Sequence, residues 1–106
     1  MATKLREPEA RLLALQIAAK RPNHEASTTH IKDSVPDYRQ FSPADLAPSP
    51  TRKNEKTWQQ IVGNATGSHN KSSTSIFNRG YAVKTKDGIR VTEKGLAYLK
   101  SKGLYE

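Results

Sequence analysis

The sequence predicts a mainly helical domain that closes on a small β-hairpin. Three observations carry that expectation. Trp58, Ile61, Val62 and Ala65 recur at i, i+3, i+4 and i+7, which places them on one face of a helix. Two short runs, Tyr81 to Lys84 and Ile89 to Val91, alternate on either side of Lys86-Asp87-Gly88. Asp-Gly between such runs is a strong hairpin signal, because both central turn positions favour positive φ. Thr92 then precedes a final helical stretch from Glu93 to about Lys102, where its hydroxyl can cap the first turn.

In chain order, residues 1–7 read as a loose start and residues 8–103 as the folded domain. Pro8 suits the first turn of a helix, with Glu7 and Glu9 at its positive end, and the pattern continues to Lys20 before Pro22 stops it. Leu12, Leu13 and Ile17 make one apolar face; Ala14, Leu15, Ala18 and Ala19 extend it around most of the circumference. A helix so apolar is either covered on two sides or meets another chain. Ser27 or Thr28 caps a short second helix, Thr29 to Ser34, which directs Ile31 and Val35 inward before Pro36 ends it. Residues 36–54 read as a long loop carrying one turn, Pro43 to Leu46, capped by Ser42 and anchored by Tyr38, Phe41 and Leu46.

The third long helix is expected from Glu55 to His69. Trp58, Ile61, Val62 and Ala65 form its core stripe, with Gln59, Gln60, Asn64 and Thr66 on the other face. Gly63 and Gly67 lie off the stripe, either because another backbone approaches there or because the helix frays at Gly67. The polar run Ser68 to Ser75 offers hydroxyls, an amide and a lysine, and Ser72 or Ser73 can cap a turn that returns Ile76 and Phe77 to the core. In the hairpin, residues 80–91, Tyr81, Val83, Ile89 and Val91 read as the apolar set, with Lys84, Lys86 and Arg90 along it. Lysine on an edge strand also blocks aggregation, so these cations carry two readings. Leu96 and Leu99 face inward from the last helix, leaving Tyr98, Leu104 and Tyr105 for a terminal cover or a partner.

Charge is the informative part of the composition. The chain of 106 residues has a net charge of +8. Residues 1–50 hold seven Lys or Arg against six Asp or Glu, and residues 51–106 hold eleven against four. The excess therefore sits on the half that reads as helix plus hairpin, which fits a polyanionic partner. Cysteine is absent, which removes disulfides and thiolate metal sites and fits a cytoplasmic location. The longest apolar run, Leu12 to Ala19, is too short to span a membrane. His24, His30 and His69 are too scattered for a zinc site. Gly63-Asn64-Ala65-Thr66-Gly67-Ser68 lacks the Gly-Lys-Ser/Thr of a nucleotide loop, and no nucleophile triad stands out. The chain reads as a non-enzyme that needs no cofactor or metal.

Helix, helix, basic hairpin and helix is the order of a winged helix-turn-helix. Gly80-Tyr81-Ala82, the hairpin with Asp87-Gly88-Ile89, and Val91-Thr92-Glu93-Lys94-Gly95 resemble the wing and closing helix of that fold. In particular they resemble the amino-terminal domain of Mrr-type restriction proteins, in which a tryptophan-led helix precedes such an ending. Trp58, Gly80, Gly88, Thr92, Glu93 and Gly95 match that pattern. The Thr-Glu-x-Gly ending is shared by many winged helices, so it speaks to fold more than to family. The Asp/Glu-x-Lys signature of the associated nuclease is missing, so the resemblance implies the DNA reader and not the cutter.

The function expected is therefore non-catalytic binding of double-stranded DNA, as a transcriptional or nucleoid-associated regulator or a DNA-recognition module. Gln59, Gln60 and Asn64 would present amide edges in the major groove, where such amides pair with adenine. Alternatively the run with His69, Asn70, Lys71, Ser72 and Thr74 makes the deeper contacts. Arg52, Lys53, Lys71, Arg79, Lys84, Lys86 and Arg90 would hold phosphates. The other reading is a protein-interaction module, with a homodimer formed through the first and last helices.

Overall fold

Helix α1 (Glu7–Ala19) is the element around which the rest is packed. The computed structural model describes residues 5–49, 55–66 and 75–105. A 3-10 turn, Pro22–His24, leads from α1 to strand β1 (Glu25–Ser27), and helix α2 (Thr28–Ser34) follows at once. A second 3-10 turn, Val35–Asp37, the four-residue helix α3 (Pro43–Leu46) and helix α4 (Thr57–Thr66) come next. Strands β2 (Ala82–Lys84) and β3 (Gly88–Val91) and helix α5 (Glu93–Ser101) complete the order. The fold is mainly helical, with a three-stranded antiparallel sheet in the order β1-β3-β2.

The apolar circumference of α1 is covered by its own chain. It packs on α4, β3 and α5, and also on α2 and β1. Ala10, Ala14 and Ala18 are fully buried, as are almost all of Leu15 and Ile17. Each buried Leu or Ile contributes about 2 kcal/mol through the water it sheds. Little of α1 is left for a second copy, because only Leu12 among its large apolar residues is half-buried rather than buried. The carboxy-terminal tyrosines are likewise engaged. Tyr98 stacks on Tyr81 with ring centres 4.3 Å apart, and Tyr105 meets His24 edge-on at 6.0 Å.

Local chemistry sets the helix ends. Ser27 accepts the His30 N–H to start α2, and Thr92 accepts the Gly95 N–H to start α5. Helix α4 begins at Thr57 rather than Glu55, since Glu55 pairs with Lys32 of α2 at 2.7 Å and its carbonyl accepts the Ser49 N–H. Pro48 bridges to Lys56, so the loop beyond α3 leaves and returns through pinned ends. Phe41 stacks on Trp58 at 4.6 Å, which fixes this segment against α4.

Asp45 ties the start of the domain to α3. It is fully buried, and its carboxylate accepts hydrogen bonds from Leu5 N–H at 2.8 Å, Ser42 N–H at 3.0 Å and the Ser42 hydroxyl at 3.1 Å. Arg39 stands 3.5 Å away and also pairs with Glu9. Leu5, inside the stretch expected to be loose, is buried by this latch. Burial by itself would raise the carboxyl pKa, but the three donors and Arg39 outweigh it and hold Asp45 below its ordinary 3.8. A carboxyl depressed in the folded state stabilises fully above its unfolded pKa and loses that contribution as pH falls through the folded value. Asp45→Asn should therefore cost about 2 kcal/mol at pH 7. The gap in thermal midpoint between the two proteins should narrow below about pH 4, and a gap that is constant with pH would rule out an ionised Asp45 as the source.

Three features of the sheet differ from expectation. First, β1 adds a third strand. Its only buried side chain is Ala26, and one inward residue in three gives no alternation to read. Second, β2 has the opposite phase. Ala82 is buried and Val83 is exposed, because Ala82 pairs with Val91 on the core face while Val83 pairs with Arg90 on the outer face. Third, the turn runs Thr85 to Gly88, and neither Asp87 nor Gly88 takes positive φ. Glycine is needed at position 88 for a different reason: a Cβ there would lie 1.9 Å from the Ala26 carbonyl oxygen and 2.6 Å from Ser27 Cα. At residue 88, β1 lies too close against β3 to admit a side chain.

Candidate nucleic-acid interface

The hairpin tip, the start of α2 and the end of α4 meet at one place. The Thr28 N–H donates to the Asp87 carbonyl at 2.8 Å, and the Thr28 and Thr66 hydroxyls are 3.4 Å apart. Lys84 donates from Nζ to the Thr66 carbonyl at 3.3 Å. A lysine at a helix's last carbonyl is favoured by the orphaned acceptors there and by the helix dipole. The Gly88 N–H is taken by the Thr85 hydroxyl, which closes the turn. The hairpin is thus docked on the helices rather than projecting alone.

The exposed charged side chains around this junction include the cations Lys86 and Arg90 and the carboxylates Asp87 and Glu25. Lys86 lies at the turn, and Arg90 lies on the outer sheet face beside Val83 and Glu25. Arg79, also exposed, lies away from the junction, on the turn between Ile76 and β2 beside the start of α1. None of these three makes an ion pair among the described residues. Such cations remain available to an anion, and Glu25 is the cross-strand carboxylate that tempers Arg90.

Other expected contacts are placed differently. Gln59 Oε1 accepts the Lys56 N–H at 2.8 Å, so that side chain caps the first turn of α4. Gln60 Oε1 accepts the Ser49 hydroxyl and holds the α3–α4 link. Asn64 is half-buried. Thr66, expected on the outer face, is buried, and its hydroxyl returns to the Val62 and Gly63 carbonyls. Arg52, Lys53, His69, Asn70, Lys71, Ser72 and Thr74 lie outside the described residues. Among the described residues no three His, Asp or Glu side chains converge as metal ligands, and no helix is long and apolar enough to cross a membrane.

The residues that carry the family resemblance act as scaffold. Thr92 Oγ1 donates to the Gly80 carbonyl at 2.6 Å, and the Thr92 N–H donates to the Tyr81 carbonyl. A Cβ on Gly95 would lie 2.1 Å from that same Tyr81 oxygen. Gly80, Thr92 and Gly95 therefore join the hairpin to α5 at close quarters, whatever the outer face binds. Thr28 is a junction residue that the sequence marks only as an alternative helix cap. Compared with known proteins, the chain matches no family model, no curated protein and no solved structure.

Proposed function

We propose that the protein binds double-stranded DNA as a winged helix, with the β2–β3 hairpin as the wing and α4 with the polar run after it as the recognition element. The observation that carries this reading is the junction of Thr28, Thr66, Lys84 and Asp87, which sets the cationic hairpin beside the end of α4. The element order and the strand order β1-β3-β2 are compatible with that fold. With the Gln59 and Gln60 carbonyl oxygens used inside the protein, phosphate contacts supply most of the affinity. Sequence preference then falls to the His69–Thr74 run.

A random-sequence duplex titrated by fluorescence anisotropy tests this. With about four phosphate contacts the log–log salt slope is about −3.6, so affinity should drop roughly a hundredfold between 50 and 200 mM salt. Failure to bind at the lower salt would reject DNA as the partner and return attention to protein partners.

A further inference from the structure

Away from the hairpin junction, a half-open cleft of about 200 Å³ lies between the start of α1, the turn before β2, and α5. Its chemistry is mixed in a particular way. Leu12, Leu15 and Ile76 give it an apolar wall, while Arg11 and Arg79 bring two guanidinium groups to it. Tyr81 and Tyr98 complete the lining.

Arg11 is the unusual member. Its side chain is only 14% exposed, yet its one hydrogen bond among the described residues is Nη1 to Glu7 at 3.0 Å. A guanidinium has five N–H donors in a fixed fork, so most of this one is left unused beside a cavity. The tyrosine rings are parallel within 9° and cover each other on one face. Lys94 sits 5.8 Å over Tyr81, and Lys102 sits 5.6 Å over Tyr98. Stacking thus takes the inner faces and ammonium groups the outer ones, which leaves the electropositive ring edges and the phenol hydroxyls for the cleft. Neither hydroxyl has a hydrogen-bond partner among the described residues. Four cations surround the tyrosine pair, and among the described residues Glu7 is the one carboxylate paired with any of them.

We propose that this cleft is a binding site for a small organic acid, a carboxylate on an apolar body. The carboxylate takes the spare donors of Arg11 and Arg79, a pairing that guanidinium geometry favours. The body lies against Leu12, Leu15 and Ile76. At about 30 Å³ per water, the cavity displaces roughly six or seven waters, which limits the ligand to about ten heavy atoms. Inorganic phosphate would satisfy the arginines but leave the apolar wall wet.

The site shares Arg79 with the cations assigned above to phosphates, but Arg11 belongs to it alone, and its test needs no DNA. Amide shifts of the full chain are followed by NMR during titration with benzoate, with its neutral isostere benzamide, and with inorganic phosphate. Benzoate should give saturable shifts at Arg11, Arg79, Tyr81 and Tyr98 with a millimolar Kd, at least about tenfold tighter than either of the others. Arg11→Gln should weaken benzoate about tenfold, a loss comparable to one charge-assisted hydrogen bond. Glu7→Gln, which removes the competing carboxylate, should tighten it. Equal affinity for benzoate and benzamide, no saturable shift with benzoate, or a Glu7→Gln protein that binds more weakly would each overturn the proposal. Phosphate binding as tightly as benzoate would overturn it too.

Discussion

Gly88→Ala lowers the thermal midpoint by roughly 10–20 °C. The added methyl would sit 1.9 Å from the Ala26 carbonyl oxygen and 2.8 Å from its carbon. Both are backbone atoms of a strand that is hydrogen-bonded to β3 at that point, so no side chain can turn aside to make room. The strand must move, and Ala26 and Ile89, buried partners across the two strands, move with it. Forced overpacking of this kind costs about 2–3 kcal/mol, and a kilocalorie corresponds to roughly 4–8 °C in a domain of this size. A midpoint within about 2 °C of the parent would mean that β1 does not lie on β3 as described.

That residue also shows what a sequence can and cannot disclose. Asp87-Gly88 correctly marks a hairpin, but the physical reason lies elsewhere. A local turn rule reads positive φ into the pair, whereas the structure uses Gly88 to admit a strand sixty residues earlier in the chain. Helices with strong periodicity were legible. The stripe Trp58, Val62 and Ala65 is buried, and the capping residues Ser27, Ser42 and Thr92 sit where their side chains meet helix N–H groups. Strand β1 was not legible, since three residues with one inward alanine carry no period. The Asp45 latch was hidden for a related reason, because its partner Leu5 is forty residues away. At the candidate interface the charge was visible but its use was not. Lys84 looks like Lys86 in sequence, yet it reaches the Thr66 carbonyl because β2 turns it inward, and Gln59 and Gln60 reach backbone and serine partners that only the folded link brings near.

If the protein binds DNA as proposed, reversing Lys86 and neutralising Arg90 as glutamine, which keeps a like charge from facing Glu25, should reduce DNA affinity about a hundredfold without lowering stability. Each exposed cation has no ion pair among the described residues, so its replacement disturbs little, and surface changes of this type stay within about 0.5 kcal/mol. Each lost phosphate contact removes about one unit of salt slope. At about 1.5 kcal/mol per charge-assisted contact, two give the hundredfold. Reversal at Lys84 should differ. It places a carboxylate at the last turn of α4 in place of an ammonium, so it should lower the thermal midpoint as well as binding. Equal stability effects at Lys84 and Lys86, measured by thermal unfolding, would show that the Lys84–Thr66 contact contributes nothing.

The most direct test of the DNA-binding account is an amide-shift map of the full chain during titration with a short duplex. The expected result is a set of shifted residues at Thr28, Lys84 to Arg90 and the end of α4, with the His69–Thr74 run shifting alongside them. The residues of α1 and the carboxy-terminal Leu104 and Tyr105 should stay unmoved. Shifts confined to α1 and α5, or none at low salt, would contradict the account.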